Sequence, residues 1–137
     1  MNLTQIDKSN YLKGLLIIAR KDNQLAESEK HILKNISDKL GFAKDFYDET
    51  IKNLLYNKHI SDGPIKFSNK RIAESFISDG LMLAFSDKKV HDPEIDWLNA
   101  TAKENTIDES WFNSQLEKFR TESHTSIESS LTLYSII

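Results

Sequence analysis

The stretch Ala19-x-x-Asp22-x-x-Leu25-x-x-x-Glu29-x-x-x-Leu33 recurs 65 residues later as Ala84-x-x-Asp87-x-x-Val90-x-x-x-Glu94-x-x-x-Leu98. Leu16 and Leu81 extend the match, and apolar character pairs at Leu12/Ile77, Ile18/Leu83, Ile32/Trp97, Phe42/Ile107, Phe46/Trp111, Tyr47/Phe112 and Ile51/Leu116. Self-similarity at a fixed offset is the mark of a repeated supersecondary unit. The chain therefore reads as one domain over residues 1–137, built from related halves at 7–57 and 69–120, with a linker at 58–68 and a tail at 121–137.

Each half reads as three helices. In the first, Tyr11, Leu12, Leu15, Leu16, Ile18 and Ala19 recur at helical spacing, with Asp7 or Ser9 as the capping residue. A second helix begins near Glu27, carries Ile32, Leu33, Ile36 and Leu40 on one stripe, and stops at Gly41, where a C-terminal glycine belongs. A third begins near Lys44, with Phe46, Tyr47, Ile51, Leu54 and Leu55 as its apolar residues. Asp62-Gly63-Pro64 is a turn signal in the linker. The second half restarts at Ser68 or Asn69. Its first helix, with Ile72, Ala73, Phe76, Ile77, Leu81, Leu83 and Ala84, is apolar around much of its circumference and so belongs at the centre. Asp92-Pro93-Glu94 opens the next as cap and first-position proline. The last opens near Asp108 and buries Trp111, Phe112, Leu116 and Phe119. The fold class is all-α: a bundle of about six to seven helices in two three-helix halves.

Composition agrees. The 137 residues include four glycines and two prolines, too few for the many turns of a β-sandwich or barrel. With no cysteine, disulfides, thiolate zinc sites and thiol nucleophiles are excluded. A net charge of −3 without a basic face argues against nucleic-acid binding. The longest apolar run, Leu15 to Ala19, is far short of the ~20 residues a membrane-spanning helix needs. The amino terminus, Met1-Asn2-Leu3-Thr4-Gln5, has no signal-peptide pattern, so the chain reads as soluble and cytoplasmic.

In the repeated corner each Asp ends one helix and each Glu lies in the first turn of the next, where the helix dipole favours a carboxylate. Carboxylates that approach one another across such a corner call for a cation, a proton or backbone donors between them. The structural alternative is that Asp22 bonds the corner amides while Glu29 and Glu94 act as dipole or capping residues. The corner is not an EF-hand: from Asp22 the alternating positions are Gln24 and Ala26, and the twelfth is Leu33.

At this doubled motif, and at the Leu40-Gly41 helix end, the chain resembles the tellurite-resistance TerB family, including the related domain attached to some membrane-anchored J-domain co-chaperones. The resemblance covers about residues 7–120. The family has Asp-Gly at the turn, where Asp22-Asn23 and Asp87-Lys88 stand here, and a serine-like cap before the glutamate, where Ala26 and His91 stand. The resemblance implies an all-helical bundle with two acidic corners, in a bacterial stress or defence setting. It further implies divalent-metal binding by Asp22, Glu29, Asp87 and Glu94. Oxygen-only ligands suit Ca²⁺ or Mg²⁺ better than zinc.

Catalytic motifs are missing. There is no H-E-x-x-H, no paired E-x-x-H, no G-x-S-x-G elbow and no glycine-rich phosphate loop. Glu27 and His31 lie one helical turn apart and read as a surface pair. The expectation is a non-enzymatic module that binds a divalent cation, an unidentified protein partner, or both. The alternative is a protein–protein interaction module with purely structural carboxylates. The tail's Leu131-Thr132-Leu133-Tyr134-Ser135-Ile136-Ile137 could dock on the domain, add a short strand or helix, or meet a partner.

Overall fold

The computed structural model describes residues 3–20, 27–56, 63–85 and 92–121. Asp22, Leu25, Asp87, Val90, His91 and the tail beyond 121 lie outside them. The described residues form six helices and no strand: α1 (Gln5–Arg20), α2 (Glu27–Lys39), α3 (Lys44–Tyr56), α4 (Lys70–Ala84), α5 (Asp92–Glu104) and α6 (Glu109–Thr121). Adding 65 to the bounds of α2 and α3 gives those of α5 and α6, while α1 and α4 start 65 residues apart. No described helix is long and apolar enough to cross a membrane.

Helices α1 and α4 pack against each other at the centre. Around them, α2 and α3 lie on α1, α5 and α6 lie on α4, and α5 also reaches α1. From Tyr11 to Ala19 every residue of α1 but Lys13 is buried, and from Ile72 to Ala84 every residue of α4 but Glu74. Such all-round burial explains why these two helices carry consecutive apolar residues rather than one stripe.

The approach of α1 to α4 depends on small residues. A Cβ at Gly14 would collide with the Phe76 ring, and one at Gly80 would lie 2.6 Å from Leu98 Cδ2 and 2.9 Å from Ile18 Cδ1. Rings close the space beside them: Phe76 packs edge-on to Tyr11 at 5.4 Å and to Trp97 at 6.0 Å between centroids.

The helix ends follow from local chemistry. Thr4, rather than Asp7 or Ser9, caps α1: its hydroxyl accepts from the Asp7 amide at 3.0 Å and donates to the Asp7 carboxylate at 2.9 Å. Asp7 is thus the reciprocal partner in a capping box, not the cap. Asn69 caps α4, accepting from the Ile72 amide at 2.9 Å. Helices α2 and α5 end in the same Schellman geometry. In α2 the Gly41 amide bonds Asp38 O and the Phe42 amide bonds Ser37 O; in α5 the Thr106 amide bonds Lys103 O and the Ile107 amide bonds Ala102 O. The left-handed position is Gly41 in one (φ 86°) and Thr106 in the other (φ 55°). A β-branched residue is disfavoured there, by roughly 1–2 kcal/mol.

The linker is not a free tether. Ile65 and Phe67 are buried. Asn105, at the end of α5, accepts from the Phe67 amide at 2.8 Å and donates to Ile65 O at 2.7 Å and Thr101 O at 2.8 Å.

Two substitutions test this account. Gly80→Ala should lower stability by about 1–3 kcal/mol through overpacking of the central contact. Thr106→Gly should raise it by about 0.5–1 kcal/mol, the relief of the left-handed threonine exceeding glycine's added unfolded-state entropy. Urea unfolding midpoints at unchanged slope report both.

Candidate functional site

Glu29 and Glu94 occupy the third position of α2 and α5, and each is only 2 % exposed. Both side chains point inward instead of lying on a solvated first turn. The burial is the same in both halves, so it is a property of the repeated corner. A buried carboxylate requires hydrogen-bond donors, a helix N-terminus or a cation around it. Asp22 and Asp87 fall outside the described residues, as does His91. Among the described residues, no three Asp, Glu or His side chains form a group able to hold a metal ion. Trp97 and Phe112 are core residues, as their helical spacing indicates, and Trp111 is half-buried. Phe46, placed on the apolar side of α3 by its spacing, is instead 44 % exposed and stacks on Phe42 at 4.8 Å.

Two further buried acids stand at the α1–α4 contact, where sequence reasoning named Asp7 only as a cap and did not name Asp79. Each is 1 % exposed. Asp79 accepts from the Tyr11 hydroxyl at 2.5 Å, and Ser75 Oγ lies 2.8 Å from that hydroxyl. Asp7 accepts from the Ser68 amide at 3.0 Å and from the Ser68 hydroxyl. Burial pushes the Asp7 carboxyl up, but the bonds from Ser68 and Thr4 outweigh it and hold the group below its ordinary 3.8. Asp79 had a visible signal, a carboxylate between Ile77 and Leu81 in the most apolar helix, but its partner Tyr11 lies 68 residues away.

No protein-family model, curated protein or solved structure matches this chain.

A concavity lies between α2 and α3. It encloses about 390 Å³ and is lined by Lys30, His31 and Lys34 from α2 and by Tyr47, Asp48 and Ile51 from α3. The two lysines, His31 and Asp48 are exposed, and Ile51 is half-buried. Tyr47 is buried and donates its hydroxyl to Lys30 O at 3.1 Å, tying the two walls together. Burial, together with the negative charges of Asp48 and Asp38, pushes the Tyr47 phenol up to about 12, so it is neutral across the physiological range.

The Asp7 geometry fixes a pH dependence. A carboxylate whose folded pKa is depressed stabilises the fold above its unfolded value of 3.8, and that contribution disappears as pH falls through the lower folded value. Asp7→Asn should therefore be less stable than the parent near neutrality, and the gap should narrow near about pH 3. Denaturant titrations at the two pH values measure it. Tyr11→Phe should cost about 1–3 kcal/mol, because Asp79 and Ser75 lose a buried partner, and the same titration reads it.

Proposed function

We propose that the chain is a non-catalytic, TerB-like helical module of the bacterial stress type, which binds a divalent cation through its two acidic corners. The observation that carries this reading is the matched burial of Glu29 and Glu94 at equivalent places of the repeat. A glutamate serving only as a dipole or capping residue is free to keep its head in water, whereas Glu29 and Glu94 are both drawn out of it. Repetition of that burial favours a shared chemical demand over an accident of packing. Glu29 and Glu94 supply hard oxygen donors from inside the corners, with Asp22 and Asp87 as the counterparts seven residues earlier. Such donors suit Ca²⁺ or Mg²⁺. A bound cation would neutralise the carboxylates. Glu29 and Glu94 would then hold the cation while the first turns of α2 and α5 orient them.

The test is NMR titration of the whole chain with Ca²⁺ and Mg²⁺, and with Mn²⁺ and Zn²⁺ for comparison. Localised shifts around Glu29 and Glu94 are expected. They should be lost in Glu29→Gln and Glu94→Gln variants that retain the parent spectrum elsewhere. Thermal stability should rise with metal by the linkage relation, about 2.7 kcal/mol at a hundredfold excess over Kd. Spectra unchanged at millimolar metal overturn the proposal.

A second reading, a protein-interaction module with structural carboxylates, draws on the exposed Phe46 and on Ile6, which is 72 % exposed. There Phe46→Ala would abolish capture of a partner while both glutamate variants retained it.

A further inference from the structure

The repeat provides an internal control for the end of the bundle where α1 and α4 begin. The bonds from Ser68 to Asp7 bring these two helix starts side by side. Equivalent places there carry different chemistry: Gln5 and Ile6 in α1, Lys70 and Arg71 in α4. Both cations stand in a first turn, where the helix dipole disfavours positive charge, and that turn holds no acid. The neutral pair in α1 shows that the fold does not need cations at these places. Lys66 adds a third cation just before α4.

Lys66, Lys70 and Arg71 are all exposed, and among the described residues none of them forms an ion pair. From Gly63 to Ala73 there is no acidic residue. Two acids stand close by. Asp7 is buried and bound by Thr4 and Ser68, and Glu74 is half-buried one turn further along α4. With Lys8, half-buried in α1, four cations face these two acids, so the group is net positive in a chain of net charge −3. Ile6 stands beside them, next to Asp7 in the chain. At 72 % it is more exposed than any other large apolar side chain among the described residues. The backbone beneath is pinned, by Asn105 at Ile65 and Phe67 and by Asp7 at Ser68. A projecting apolar side chain flanked by cations matches a surface in which anionic headgroups lie over hydrocarbon.

We propose that this end of the bundle docks peripherally on an anionic lipid surface, with Lys66, Lys70 and Arg71 meeting headgroup phosphates and Ile6 entering the acyl boundary. The whole chain is sedimented with vesicles of equimolar phosphatidylcholine and phosphatidylglycerol, and with pure phosphatidylcholine vesicles as the control. A chelator in the buffer removes divalent metal, so the result is independent of the acidic corners. Co-sedimentation is expected with the anionic vesicles alone, and added salt should reverse it by screening. The double variant Lys70→Glu with Arg71→Glu should weaken partitioning at least about tenfold, and Ile6→Ser about threefold. All three positions are exposed, and acids suit a helix first turn, so the double variant should melt no lower than the parent. A chain that stays in the supernatant, or co-sedimentation that survives the double variant, overturns the proposal. An acidic polypeptide also attracts cations, so soluble polyglutamate is the second arm. Lys70-dependent binding to it without vesicle binding assigns the surface to an acidic protein partner and overturns the lipid assignment.

Discussion

The close contact of α1 with α4 is the constraint on which the rest of the bundle depends. Its contacts advance in the same direction along both helices: Asp7 meets Ser68, Tyr11 meets Ser75 and Asp79, Gly14 meets Phe76, and Ile18 meets Gly80. The apolar part of this series supplies most of the stabilisation, because α1 and α4 are buried on nearly every side. The polar part supplies little net energy and much discrimination. A buried carboxylate that loses its donors is costly, so a slip of one helix along the other would strand Asp7 and Asp79. The apolar contacts bring the two helices together, and the buried acids allow one register.

The outer helices show how one backbone plan tolerates different chemistry. Helices α2 and α5 end in the same hydrogen-bond pattern, yet Gly41 takes the left-handed position in one and Thr106 in the other. Just before them stand Leu40, a buried apolar residue, and Asn105, which holds the linker. Tyr47 and Phe112 fill the same place with and without a hydroxyl. Where the halves agree, at Glu29 and Glu94, they agree in burial as well as identity. Agreement marks what the corner requires, and divergence marks what the helix plan leaves open.

Features decided within a turn or two of chain were legible in the sequence. Gly41 ended a helix, Asn69 and Pro93 opened others, and the repeat offset placed the six helices. Spacing does not single out the cap of α1, because Thr4, Asp7 and Ser9 are all good capping residues and the choice depends on which donates to which. The exposure of Phe46 was hidden because helical spacing gives a face without saying whether a neighbour covers it. The acids were harder still. Glu29 and Glu94 read as ordinary first-turn carboxylates, and only packing turns them inward. Asp79 depends on Tyr11, and no local rule connects residues so far apart in the chain.

The way Asn105 holds Ile65 and Phe67 bears on cooperativity. That stretch of linker is fastened to the second half, while Ser68, at its end, is fastened to Asp7 of the first. Either half alone would leave a face of its central helix open to water, and the linker could not keep both sets of bonds. The two halves, for all their kinship, are thus not separate folding units. A perturbation on one flank is felt across the whole bundle, which should melt in one step rather than as two stacked modules.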